Sequence, residues 1–135
     1  MAKIEELEIG QSATYERTVS EEDIVRFAEV SGDDNPVHLD EEFASKTMFK
    51  GRIAHGMLGA GFISTAVGTR LPGYGCIYIS QSLRFRAPVR IGDTVVTTAT
   101  VKAVDKDRKR VTMETVCAVG DKNVIDGEAE LMVPG

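Results

Sequence analysis

His55-Gly56-Met57-Leu58-Gly59-Ala60-Gly61-Phe62-Ile63-Ser64-Thr65-Ala66-Val67-Gly68-Thr69 contains no acidic or basic side chain apart from the neutral-pH imidazole at its start, and Leu71-Pro72-Gly73 lies just beyond it. A helix apolar all round its circumference belongs where every side is covered. Gly56, Gly59, Gly61 and Gly68 each cost about 1 kcal/mol against alanine in a helix, so packing and not propensity would hold the segment together. It is also too short for a bilayer, which takes about 20 residues to cross. The stretch therefore predicts a central helix over about 55–69 that the rest of the chain encloses.

The C-terminal half of the chain can do the enclosing. Ile77, Ile79, Gln81, Leu83 and Phe85 fall on one side of an extended chain, and Tyr78, Ser80, Ser82, Arg84 and Arg86 on the other. Alternating runs continue over 94–104, 111–119 and 124–133, joined by connections at 88–92, 105–109 and 120–123 that are short enough for antiparallel neighbours. The N-terminal part, before the helix, is different in kind. Ser20-Glu21-Glu22-Asp23 reads as an N-cap with an acidic first turn; Ile24, Phe27, Ala28 and Val30 continue at near-helical spacing, and Gly32 is a stop. A shorter turn after Asp40 is expected to carry Phe43 and Ala44 inward, with loop over 47–53. No repeat, low-complexity tract or linker interrupts the chain, so the fold class expected is α+β, one domain over 1–135, with a curved antiparallel sheet wrapped around one helix.

A chain of 135 residues can bury a substantial core. With 21 acidic against 16 basic residues and a net charge of −5, it has no cationic block suited to nucleic acid or a membrane surface. The opening Met1-Ala2-Lys3-Ile4-Glu5-Glu6 lacks a signal-like apolar run, which points to a cytoplasmic protein. Cys76 and Cys117 form no CxxC or zinc spacing and read as free thiols, so metal-free chemistry is expected, with no cofactor.

Both histidines lie close to one region. In Ser31-Gly32-Asp33-Asp34-Asn35-Pro36-Val37-His38, Pro36 interrupts any continuous helix, so Asp33 and His38 can converge from an irregular loop. Such a pair moves protons near neutral pH, and Asn35 could orient either member. The plainer alternative is an Asx-turn with a solvent-exposed histidine. His55-Gly56 opens the uncharged helix, whose first N–H groups have no intrahelical partner and suit developing negative charge. There the plainer alternative is a helix start with His55 as a capping or packing residue.

Taken together these residues resemble the MaoC-like (R)-specific enoyl-CoA hydratases of the hot dog fold. The likeness is carried by Phe27-Ala28, Ser31, Asp33-x-Asn35-Pro36-x-His38-x-Asp40, Phe43-Ala44 and Phe49-x-x-x-Ile53-x-His55-Gly56-Met57. It continues through Leu71-Pro72-Gly73, Ile77-Tyr78, Gln81-Ser82-Leu83-x-Phe85 and Pro88-Val89-x-x-Gly92-Asp93. The resemblance implies an overhanging helix-loop segment over about 20–54, and water addition to a trans-2-enoyl-CoA giving an (R)-3-hydroxyacyl-CoA. Asp33 and His38 would be the catalytic pair, assisted by Asn35, with the Gly56 N–H polarising the thioester carbonyl. His38 is expected as base and Asp33 as acid, which asks for a buried, protonated Asp33. His55 and Ser64 would contact substrate, Ser64 from the wall of the acyl pocket. Lys50, Arg52, Arg84 and Arg86 are candidate cations for the coenzyme A phosphates. Coenzyme A is then part of the substrate, and the resemblance further implies a homodimer and a place in fatty-acid metabolism or polyhydroxyalkanoate precursor supply.

Three rival readings belong to the same fold: acyl-CoA thioesterase, 3-hydroxyacyl-ACP dehydratase, and a non-catalytic acyl-thioester-binding subunit. The absence of Asp or Glu between His55 and Thr69 weighs against the first, since a thioesterase more often carries its acid there. Carrier choice and acyl chain length stay open.

Overall fold

The computed structural model describes residues 2–134. Six antiparallel strands form one sheet: β1 (Ser12–Thr18), β2 (Ile77–Gln81), β3 (Arg84–Phe85), β4 (Thr94–Asp105), β5 (Arg110–Val119) and β6 (Lys122–Met132). Their order is β1-β4-β5-β6-β2, with β3 also pairing β6. The three long strands are the meander expected from alternation, and Val95, Thr97, Ala99 and Val101 present the buried face of β4. Strand β1 was not anticipated. Its Ala13, Tyr15 and Arg17 alternate with Thr14, Glu16 and Thr18, too polar a set to signal a strand, and pairing with β4 from Ser12↔Thr100 to Thr18↔Thr94 makes it one.

Helix α1 (Glu21–Ser31) begins with a capping box in which Ser20 Oγ accepts the Asp23 N–H and the Asp23 carboxylate accepts the Ser20 N–H, both at 3.1 Å. It ends at Gly32, whose φ of +82° is the left-handed stop that glycine supplies. Ile24 and Ala28 are buried, but Val30 is 84% exposed, so the apolar stripe is narrower than its spacing suggested. The 33–40 segment is not wholly irregular: Pro36 starts a single turn, α2 (Pro36–Leu39), as an N1 proline can. Helix α3 (Glu41–Ser45) starts at the Asp40 cap and buries Ala44, whereas Phe43, expected inside, is 48% exposed.

The central helix is α4 (Gly56–Thr65), continued by a wider π turn over Ala66–Arg70. Gly59, Phe62, Ile63, Ala66 and Val67 face the sheet. Two apolar clusters result. Ala66, Val67 and Leu71 pack with Val101, Met113 and Leu131; Phe62 and Ile63 pack with Val95, Cys117, Val124 and Ile125. Within this chain the helix is not enclosed on every side, because Met57, Gly61 and Ser64 are exposed on the face turned from the sheet. The alternation read over 77–86 is broken by a bulge between Tyr78 and Ser80, and Ile77, Tyr78 and Ile79 are all exposed. No helix among the described residues is long and apolar enough to cross a membrane.

Candidate active site

Local sequence builds the site. Asn35 Oδ1 accepts the Val37 N–H at 3.1 Å and caps α2, while Asp33 Oδ1 accepts the Asn35 N–H at 3.3 Å. The Asx-turn alternative is thus correct for the backbone and wrong for the imidazole, since His38 is buried. Three bonds from the extended segment before α4 hold α2 in place. His38 Nδ1–H donates to the Ile53 carbonyl at 2.9 Å, the Ile53 N–H donates to the Val37 carbonyl at 3.3 Å, and Arg52 Nε–H donates to the His38 carbonyl at 2.7 Å. A carbonyl only accepts, so the first bond fixes the His38 tautomer and leaves Nε2 with a free lone pair. Burial pushes the His38 pKa below its ordinary value of 6.5; the Ile53 carbonyl pulls it up, neighbouring His55 adds to the depression, and Asp33 opposes it.

His38, His55, Asp33 and Gly56 meet at one cavity of about 490 Å³ that runs inward past Phe62, Val95, Val124 and Ile125. The two imidazoles stack with centroids 3.8 Å apart at 27°. The Gly56 N–H stands at the N-terminus of α4 with no hydrogen-bond partner among the described residues, and a Cβ there would lie 2.7 Å from Phe85 Cε1, so only glycine lets the Phe85 ring pack this closely on the head of the helix. One end of an apolar cavity thus carries a base, a carboxylate and a free N–H donor. Ligand atoms of Asp33, His38 and His55 lie within 4.8 Å of one another. His38 Nδ1 and His55 Nε2 are each already engaged by a main-chain carbonyl, however, and His55 Nδ1 is buried, a poor arrangement for converging on a metal ion.

Several expected site residues stand elsewhere. Asp33 is exposed, so this chain alone does not supply the burial invoked for its role as acid. Asn35 does not line the cavity and acts on it through the α2 cap. Ser64 points away from the cavity, two turns along α4 on the uncovered face. Arg52 is no mouth cation: it is turned inward, with Nη1 on Glu21 at 2.6 Å. Arg86 does line the cavity, paired with Asp126, whereas Arg84 is exposed on β3 and Lys50 is exposed in the loop before Gly51. The clamp made by Arg52 and the lid-like Phe85 over Gly56 were missed. Phe85 carried a strand-alternation signal, but nothing in the sequence singled Arg52 out as a clamp.

The MaoC like domain matches residues 5–123. The chain belongs to the MaoC-like family. An (R)-specific enoyl-CoA hydratase of Rhodospirillum rubrum is 57% identical over 130 residues, covering 96% of this chain and 90% of that one. Among solved structures, the unliganded R-hydratase PhaJ1 of Pseudomonas aeruginosa superposes with a TM-score of 0.91 at 48% identity, over 97% of this chain and 84% of that chain. The (R)-hydratase from A. caviae involved in PHA biosynthesis gives a TM-score of 0.92 at 39% identity, over 96% and 98%. This MaoC-like chain thus shares its sheet and central helix with the R-hydratases, and its hot dog architecture is theirs.

Proposed function

We propose that this protein is an (R)-specific enoyl-CoA hydratase, a hydro-lyase that adds water to trans-2-enoyl-CoA to give the (R)-3-hydroxyacyl-CoA. The observation that carries the reading is the meeting of Asp33, the His38 ring and the Gly56 N–H at one end of an apolar cavity. Neutral His38, with its Nε2 lone pair free, takes a proton from water as the oxygen adds at C3. Enolate charge then builds on the thioester oxygen, where the Gly56 N–H at the head of α4 stabilises it. Asp33, taking up a proton as the acyl thioester covers and shields its carboxyl, gives that proton to C2 and is left as a carboxylate. The His38 imidazolium beside it then passes on the proton taken from water, so that both groups return to their starting states. The reaction calls for no cofactor, coenzyme A being part of the substrate, and exposed Arg84 and Lys50, with Arg86, are suited to its phosphates.

A homodimer and a cytoplasmic setting are part of the same proposal. The exposed face of α4 and the exposed apolar residues of β2, which among the described residues pairs with β6 alone, are two surfaces that a second copy would cover. Ser64 would then contribute to an acyl site only as part of that assembly. Supply of polyhydroxyalkanoate precursors is a use to which this product chemistry is suited.

The test is loss of the conjugated enoyl absorbance when the purified protein meets crotonyl-CoA, with chiral analysis of the product and Asp33→Asn alongside. Formation of (R)-3-hydroxybutyryl-CoA, abolished in the variant, is expected. Release of free CoA would replace the reading by a thioesterase, and turnover only of an acyl-carrier-protein substrate would move it to a dehydratase of that carrier. Binding of the thioester without turnover of either substrate would leave a non-catalytic subunit.

A further inference from the structure

His55 belongs to no step of the proposed hydration, yet it is among the most buried polar residues, 3% exposed. Its Nε2 lies 2.9 Å from the Asp33 carbonyl, a contact that reaches across 22 residues. The carbonyl can only accept, so Nε2 carries the hydrogen and Nδ1 is the lone-pair nitrogen. That Nδ1 is buried with no hydrogen-bond partner among the described residues. An unpartnered buried polar atom is destabilising, and an apolar ring would avoid it. What an apolar ring lacks is the Nε2–H that holds Asp33. The ring is also packed between two others, stacked on His38 at 3.8 Å and tilted against Phe27 at 4.8 Å. Finally, His55 is the N-cap of α4, so it directly precedes Gly56.

We propose that His55 is a positioning residue: its Nε2–H pins the main chain of Asp33, its face sets the plane of the His38 ring, and its place in the chain ties both to the Gly56 N–H. The inference rests on the hydratase reading and changes the part given to His55, from contacting substrate to aligning the groups that do. Asp33 needs such a pin. Its loop is exposed, and its other main-chain tie is the Asp33 N–H to Ser31 Oγ at 3.1 Å. With both ties in place the carboxylate of an exposed loop keeps a fixed direction toward the buried His38. Neither His55 nitrogen is offered to substrate, since Nε2 is engaged by the Asp33 carbonyl and Nδ1 is buried.

Side-chain reach separates this role from others. The carboxamide nitrogen of glutamine is as many bonds from Cα as Nε2 of histidine, so His55→Gln can still donate to the Asp33 carbonyl. His55→Asn falls short, and His55→Phe keeps the stack without the donor. Turnover of crotonyl-CoA, Tm and the imidazole nitrogen NMR shifts are measured for all three and for His38→Ala. The wild-type spectrum should give His55 as the Nε2–H tautomer and His38 as the Nδ1–H tautomer. His55→Gln should keep kcat within about fivefold, and His55→Asn and His55→Phe should lose about ten- to a hundredfold, as expected of one misaligned contact. KM should stay within about threefold throughout, as it does when an interaction acts on the transition state alone. A loss appearing in KM, a His55→Gln as impaired as His55→Phe, or kcat losses that follow Tm would each overturn the proposal. The opposite tautomer would overturn it without reference to activity. Wild-type protein inactive on every thioester, with the tautomers as stated, would instead remove the hydratase reading.

Discussion

Gly59 lies against the sheet in the middle turn of α4, and a Cβ built there would stand 2.5 Å from Ile125 Cδ1. Carbon atoms in contact prefer about 3.5–4.0 Å, so Gly59→Ala asks that methyl to move by about 1 Å. Ile125, on β6, is buried against α4 and lines the cavity, into which its methyl can turn. Two terms then compete. Alanine gains about 1 kcal/mol of helix propensity, and overpacking a filled site costs about 1–3 kcal/mol. The single variant should therefore lose about 0–2 kcal/mol, while Ile125→Val, which removes Cδ1, should lose about 0.5–1.5 kcal/mol on its own. Together they should be less harmful than their sum, because the valine removes the atom that the alanine strikes. The coupling expected is about 0.5–3 kcal/mol in the stabilising direction. It is measured by urea denaturation of the four proteins at one protomer concentration, since association would shift every midpoint. Strict additivity would refute the reasoning, showing that Ile125 Cδ1 does not limit the space at Gly59. Activity supplies a second reading of the same contact: the displaced methyl narrows the cavity, so Gly59→Ala should lose more kcat/KM on a longer enoyl thioester than on crotonyl-CoA.

Contacts at the site lead to three further outcomes. His38 has its folded pKa held below 6.5, so under pH 6.5 the unfolded chain takes up a proton there that the folded chain does not. Stability should accordingly fall as pH drops below 6.5 and stop falling, on this account, once pH is below the folded value. His38→Gln should flatten that portion of the profile, and an unchanged slope in denaturation midpoint against pH would contradict the cause assigned. Asn35→Ala removes the α2 cap and should cost about 0.5–2 kcal/mol, lowering kcat through His38, whereas Asn35→Asp keeps an acceptor for the Val37 N–H and should recover most of both; an aspartate variant as poor as alanine in kinetics and denaturation would rule out the cap as the reason. Arg84→Ala should raise KM for crotonyl-CoA a few-fold at low salt, an effect that shrinks as salt screens it, and should leave KM for a crotonyl-pantetheine thioester unchanged. Equal effects on the two substrates would place Arg84 away from the nucleotide phosphates.

Much of the candidate site's geometry was legible because it is local. Asp33, Asn35 and His38 lie within six positions, their geometry is set by caps and a proline, and Gly56 owes its free N–H to being first in a helix. These are properties of short sequence. The three long strands and α1 were legible for the same reason, through period-2 alternation and a capping box. Arg52 was not, because an arginine reads as surface charge until its guanidinium is seen between the His38 carbonyl and Glu21, partners 14 and 31 residues away. Ser64 was placed by the resemblance and Arg84 by its charge, and each is exposed in this chain. Strand β1 failed for a third reason: its β-state comes from pairing with β4, and its own residues carry little apolar pattern.

The largest departure is informative about assembly. A segment without charge on any side has no solvent face by design, yet Met57, Gly61 and Ser64 of α4 are exposed. Packing alone must stabilise a helix holding so many glycines, and the sheet covers one side of it. Along β2, Ile77, Tyr78 and Ile79 are exposed, with the bulge between Tyr78 and Ser80 interrupting its pairing with β6. Helix and strand thus each carry more apolar surface than this single chain buries, and the helix also lines the cavity. A second copy that covered α4 would lie beside Gly56 and Met57, both of which line the cavity. Association and the shape of the acyl site would then be linked through the same helix, and stability lost by dilution should be accompanied by lost turnover.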